Sequence, residues 1–181
     1  MVIDKILGAN MLRLTSLLLS LTLVLSACAA PQPTLGPDGK PLPKLYRISG
    51  NDTNKIQFRM LDSVNSLRSA AGAGAVEFDS QLNAAAATHA RDMSLQNRPW
   101  HFGSDGSSPI DRARRVGFQG LYIGEALSET YETEVETLAA WMEDDGTRRV
   151  IVDPRANKMG FAWFQEPNGK IWWVLEIGAE N

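Results

Sequence analysis

The sequence predicts an α+β fold for residues 53–181, and three observations carry the prediction. Apolar residues recur at helical spacing between residues 53 and 98. A second helical stretch spans Glu132 to Glu143. Two runs rich in aromatic and β-branched residues, Met159 to Gln165 and Lys170 to Ile177, flank the turn Pro167-Asn168-Gly169 and read as a β-hairpin. With 181 residues, 44% hydrophobic and 22% charged, the chain has material for one domain plus appendages. A formal charge of -3 and the lack of any run of five or six basic residues argue against nucleic acid as a partner.

The first appendage is residues 1–27, read as a signal peptide. Leu14 to Ala27 is uncharged and Leu-rich, and Lys5 and Arg13 supply positive charge before it. Its length falls short of the roughly 20 residues a spanning helix needs. Met11 is an alternative start. The single cysteine, Cys28, follows in Leu25-Ser26-Ala27-Cys28, which resembles the lipobox of bacterial lipoproteins. That resemblance implies a lipidated N-terminus at Cys28 and anchoring to the cell membrane or outer membrane, with acyl chains contributing about 0.8 kcal/mol per buried methylene. Ala29 in the next position favours the outer membrane where there are two. With no second cysteine, stability must come from the core rather than from a disulfide. Residues 28–52 read as a tether, because Pro31, Pro33, Pro37, Pro41 and Pro43 crowd a segment with few apolar side chains. As a flexible coil it would span about 25 to 30 Å.

The domain proper opens with a helix whose stripe is Ile56, Met60, Val64 and Leu67, ended by the Ala-Gly run around Gly72 and Gly74. Asp79 suits an N-cap for a second helix with the stripe Leu82, Ala86, His89 and Met93, stopping by Arg98 before Pro99. On that stripe His89 reads as a packed, neutral histidine. His101 sits instead between Trp100 and Phe102, at the mouth of a Gly/Ser-rich turn. Pro109 to Arg115 reads as a short helix with Arg112, Arg114 and Arg115 on a solvated face, closed by Gly117. Leu121 to Ile123 reads as a short strand that delivers Glu125. In the helix 132–143, Val135, Leu138, Ala139 and Met142 form the inward stripe and Glu134 and Glu136 point outward.

Taken in order, His101 with the following Gly103 to Pro109, then Arg112, Gly117-Phe118, Gly124-Glu125, Trp141, Met159 to Ala162 and Trp172-Trp173 resemble the CAP superfamily. This is the group of cysteine-rich secretory, antigen 5 and pathogenesis-related proteins, and the resemblance is strongest to its bacterial SCP-like branch. It implies a three-layer α-β-α sandwich around a small, mostly antiparallel sheet. It also implies a cleft of two histidines and two acids, which in some members binds a divalent metal. Carried over by position, these fall on His101, Glu125, Asp144 and, where the second histidine is usual, Thr147. The usual Gly-Glu-Asn is Gly124-Glu125-Ala126 here.

A hydroxyl is a poor zinc ligand, so Thr147 leaves His101 and Glu125 as weak metal candidates, and no cofactor is expected. His101 and Glu125 are the candidates for acid-base work. The sequence carries no G-x-S-x-G elbow, no H-E-x-x-H and no free catalytic cysteine once Cys28 is lipidated. The leading expectation is a lipid-anchored binding module that presents the cleft to a lipid, a cell-wall fragment or a protein. A hydrolase or peptidase of the cell envelope is the alternative, and a spacer with a vestigial cleft the third.

Overall fold

The computed structural model describes residues 45–130 and 132–180; the expected signal peptide, Cys28 and the tether up to Lys44 lie outside them. A 3-10 turn at Gly50–Asp52 leads into helix α1, Thr53–Ala70, then strand β1, Glu77–Phe78, and helix α2, Ser80–Gln96. Helix α3 is Pro109–Arg115, strand β2 is Leu121–Thr130, and helices α4 and α5 are Glu134–Glu143 and Asp145–Ile151. Strands β3, Lys158–Gln165, and β4, Ile171–Ala179, complete the chain.

The strands form one sheet in the order β1-β3-β4-β2, with β1 parallel to β3 and the other two pairings antiparallel. Alternation along β4 sets the layers. Ile171, Trp173, Leu175 and Ile177 face the larger core with Ile56, Met60 and Val64 of α1, Leu138 and Trp141 of α4, and Ile151 of α5. Trp172 and Val174 face Ala86, Ala90 and Met93 of α2. Leu82, Ala113 and Phe118 extend that second layer to α3. The result is the expected α+β, three-layer α-β-α sandwich with a mostly antiparallel sheet. Trp172, Trp173 and Phe161 are fully buried, and each such side chain contributes on the order of 2 kcal/mol through the area it removes from water.

Local chemistry explains the element ends. Asp79 accepts the Leu82 amide at 2.8 Å as the N-cap of α2, and Asn97 closes that helix in the left-handed region at φ 52°. Ser108 with Asp111, and Thr133 with Glu136, form capping boxes on α3 and α4. The buried Arg68 guanidinium donates to the carbonyls of Gly74, Ile151 and Ala156 at 2.7 to 2.8 Å, tying the end of α1 to the end of α5.

Four expectations need correction. Residues 45–52 belong to the folded unit rather than to the tether: the Ile48 amide donates to Gln165 at 3.0 Å, and Tyr46 O–H donates to Glu134 at 3.2 Å. Helix α4 is turned about its axis, so Val135 and Ala139 are exposed while Glu134 is fully buried and paired with Arg59. A carboxylate at the first helical position gains from the helix dipole and here also meets a guanidinium, which outweighs its preference for water. Strand β2 runs on to Thr130, so Glu125 lies inside a strand rather than after one. Arg112 is 6% exposed, not solvated.

Candidate functional site

The site is assembled at the edge strand β2, and a backbone irregularity makes it. In the pairing of β2 with β4, Tyr122 lies opposite Gly178 but Gly124 lies opposite Ile177, so Ile123 is a bulge. In a regular strand Tyr122 and Glu125, three apart, would face opposite sides. The bulge puts both on the face covered by α2 and α3, where Glu125 sits directly across from Glu176 of β4.

Glu125 is the hub. Its side chain is 2% exposed, and both oxygens are engaged: His101 Nδ1 lies 2.8 Å from Oε1, and Arg112 donates to Oε2 at 2.7 Å. Tyr122 O–H lies 3.2 Å from Oε2. The other arm of Arg112 donates at 2.7 Å to the His101 carbonyl, so a single guanidinium fixes both members of the pair. Burial opposes ionisation of Glu125, but the bond from His101 and the Arg112 charge outweigh it and hold the carboxyl below its usual range. Glu125 is therefore a carboxylate, and His101 Nδ1 carries the hydrogen that faces it. The bond to Glu125 raises the His101 pKa above 6.5 despite partial burial. His101 itself is open to solvent, its side chain 59% exposed. Its Nε2 has no hydrogen bond from the described residues; it is an acceptor in the neutral ring and a donor in the charged one.

His101, Tyr122, Glu125, Asp144 and Thr147 line one cleft of about 370 Å³, with Pro109, Gly124 and Val150 completing its wall. The four positions singled out in the sequence are thus gathered in one place. Asp144 and Thr147 are committed to each other: Asp144 caps α5 by accepting the Thr147 amide at 2.9 Å, which lowers its pKa. The Thr147 hydroxyl donates to the Trp141 carbonyl. His89 stands apart, fully buried, with Nε2 donating to the Trp100 carbonyl at 2.8 Å. Burial and the Arg112 charge depress its pKa, so the ring is neutral.

The donor set does not fit a zinc ion. Both Glu125 oxygens are hydrogen-bonded, Thr147 offers a hydroxyl whose hydrogen is in use, and His101 supplies one free imidazole nitrogen. Among the described residues no three His, Cys, Asp or Glu side chains converge on a point that would hold a metal.

Three residues of the network escaped the sequence reading of the site: Arg112, expected on a solvated face, Tyr122 and Glu176. Tyr122 and Glu176 complete the buried end of the network, with Tyr122 O–H in a short contact to Glu176 Oε2. Burial and then the Glu125 charge push the Glu176 carboxyl up to about 8, and burial beside two carboxylates pushes the Tyr122 phenol far up. The signal for Glu176 was present: one charge inside Ile-Trp-Trp-Val-Leu-Glu-Ile, where charged residues are rarely buried without a partner.

Solved structures share this architecture. An outer surface protein of Borrelia burgdorferi superposes with a TM-score of 0.66 at 15% identity, covering 76% of this chain and 100% of that one. An extracellular protein of Bacillus anthracis containing an SCP domain gives 0.65 at 17% identity, over 75% of this chain and 45% of that one. A cysteine-rich secretory protein of Staphylococcus aureus gives 0.59 at 16%, over 80% and 44%. In sequence, the uncharacterised YkwD of Bacillus subtilis is 26% identical over 120 residues, 66% of this chain and 46% of that protein. The chain thus spans about half the length of this curated relative. Residues 61–177 match the model of the cysteine-rich secretory protein family, and the chain belongs to that CAP family.

Proposed function

We propose that this CAP domain is a binding module held outside the cytoplasm, and that its His101-Glu125 cleft takes a ligand of the cell envelope. Export is supported by the relatives described as extracellular or outer surface proteins and by the apolar leader at Leu14–Ala27. The lipid anchor at Cys28, the membrane as partner, and the outer membrane as its place rest on the lipobox-like sequence alone.

The observation that carries the binding reading is the state of the polar groups in the cleft. Glu125 is locked by Arg112 and His101, and the Thr147 hydroxyl is turned onto the backbone. What remains for a ligand is His101 Nε2 and the outer oxygen of Asp144. In the neutral ring these are two acceptors, which suit a ligand rich in hydroxyl or amide donors, as a cell-wall fragment is; lipid headgroups and proteins are the other two classes. Zinc binds weakly on this reading, and no cofactor is required.

The hydrolase reading draws on one feature, the 2.8 Å contact of His101 Nδ1 with a buried carboxylate, which would let Nε2 take a proton from water. Calorimetry of the full chain separates the readings, with soluble muropeptides, phospholipid vesicles and zinc as probes and mass spectrometry of the muropeptides afterwards. The expected result is muropeptide binding weakened by His101→Ala by roughly three- to tenfold, as loss of one hydrogen bond to an imidazole would give, with the probe recovered intact. Cleaved muropeptide would establish the hydrolase. Tight zinc binding lost with His101 would overturn the account of the donor set, and no response to any probe would favour a spacer.

A further inference from the structure

The cleft described above ends at Glu125, but the hydrogen-bond network does not. Glu125 and Glu176 are directly opposed across β2 and β4, both buried, and two like charges in that arrangement repel strongly. Tyr122 touches Oε2 of each. A phenol has one hydrogen, so it cannot donate to two carboxylates at once. Glu125 is the one kept ionised, because Arg112 and His101 both donate to it. A single arrangement of hydrogens then satisfies every contact. His101 Nδ1–H points to Glu125 Oε1, Tyr122 O–H points to Glu125 Oε2, and Glu176 keeps its own proton and donates it to the Tyr122 oxygen.

We propose that Tyr122 and Glu176 are further members of the His101 site, with Glu176 a buried proton store that sets the charge state of His101 through Tyr122 and Glu125. This rests on the binding-cleft reading only for what occupies the cleft. Both are positioning residues, since neither reaches Nε2. The groups that face Glu176 are Tyr122 and Glu125 from β2 and Arg112 from α3. His89 of α2 acts on Glu125 and is neutral, and β3 presents Gly160, which has no side chain, at the paired position. Arg112 is therefore the one fixed positive charge among these groups, and Glu125 already uses it. The second Glu176 oxygen is buried without a partner, which an acid tolerates better than a carboxylate does.

The consequence has a definite sign. As pH rises through about 8, Glu176 loses its proton and draws the Tyr122 hydrogen toward itself. Glu125 then loses a donor and gains a charged neighbour, so the imidazolium of His101 is favoured. Because the coupling is reciprocal, a ligand that donates a hydrogen bond to Nε2 holds His101 neutral and retains the Glu176 proton, whereas one that accepts from the imidazolium favours its release.

The test needs no ligand, so its failure leaves the binding reading standing, and failure of the binding experiment leaves this one untouched. The chain has two histidines, so the full chain labelled with ¹³C in His rings and Glu carboxyls gives two ring signals to assign. In the wild type we expect one glutamate to titrate near pH 8 and the His101 ring to show a second inflection in the same range. In Glu176→Gln, whose amide can still donate to Tyr122, the second inflection should vanish while the first persists. In Tyr122→Phe it should shrink. Where a variant does not fold, the wild type still decides the matter, by whether the second His101 inflection coincides with the glutamate titration. Absence of any glutamate titrating above pH 7, or an unchanged second inflection in Glu176→Gln, overturns the proposal.

Discussion

Arg112 shows how much one side chain can hold. One arm bonds the Glu125 carboxylate and the other the His101 carbonyl, each at 2.7 Å, with the residue 6% exposed. Removing it strands a buried carboxylate beside a second acid, and loss of one partner of a buried pair costs about 3 to 5 kcal/mol. Arg112→Ala should lose stability of that order in urea unfolding, and Arg112→Lys should recover only part, because an ammonium cannot bond both groups in a planar fork. A loss in Arg112→Ala below about 1 kcal/mol, the range of exposed ion pairs, would mean that water reaches Glu125. His101→Ala should fall within that small range, since its ring is mostly exposed. The site is thus stabilised from within at Arg112 and open to solvent at His101, so the proposed binding role and the stability of the fold can be tested by separate mutations.

At the scale of elements, the contact of α2 with β3 positions everything on that face of the sheet. Gly160 lies opposite Glu176, and a Cβ there would sit 2.2 Å from the Leu82 carbonyl carbon and 2.4 Å from the Asn83 nitrogen, both backbone atoms of α2. The helix therefore rests on the strand itself, and Asn83 Oδ1 accepts the Phe161 amide at 3.2 Å beside the contact. Gly160→Ala must push the helix away, and overpacking of this kind costs about 1 to 3 kcal/mol or more. The chemical denaturation midpoint should drop accordingly, and the His89 ring signal should shift with the helix that carries it. An unchanged midpoint would show that α2 floats on the sheet. These elements also mark what the sequence could tell. The stripes of α1 and α2, the Asp79 cap and the β3-β4 hairpin were legible because period and turn chemistry are local. The turn of α4 was misread because Glu134 is held inside by Arg59 and Tyr46, partners 75 and 88 residues away. His101, Glu125, Asp144 and Thr147 were found by resemblance and by position. Tyr122 was hidden because only the bulge at Ile123 turns it toward Glu125, and strict alternation sends it to the other face.

For the molecule as a whole, the buried network sets how stability depends on pH. Glu176 has an unfolded-state pKa of 4.5 and a folded one pushed up to about 8, so between those values the folded chain keeps a proton that the unfolded chain releases. Stability therefore falls as pH rises across that window. His101 acts in the same direction: its folded pKa is raised, so the stability it contributes is full below pH 6.5 and is lost as pH rises through the folded value. Glu125 acts oppositely, since its lowered pKa contributes stability that is present above 4.5 and lost as pH falls through the folded value. His89, whose folded pKa is also lowered, adds to the acid limb below pH 6.5. The acid and alkaline limbs meet on the mildly acidic side of neutrality, and the melting temperature should peak there and decline toward pH 9. Glu176→Gln carries no titrating group at the site of the largest alkaline penalty, so its melting curve should flatten on that side. The variant should be less penalised than wild type at pH 9 and nearly matched to it at pH 5, where the wild-type carboxyl is protonated and also neutral. Equal alkaline slopes in the two proteins would place the titration elsewhere. A difference confined to pH above the acidic maximum would show that the acid beneath the cleft is carried at a cost to the fold, which selection for core stability alone would have replaced with an amide or an apolar side chain.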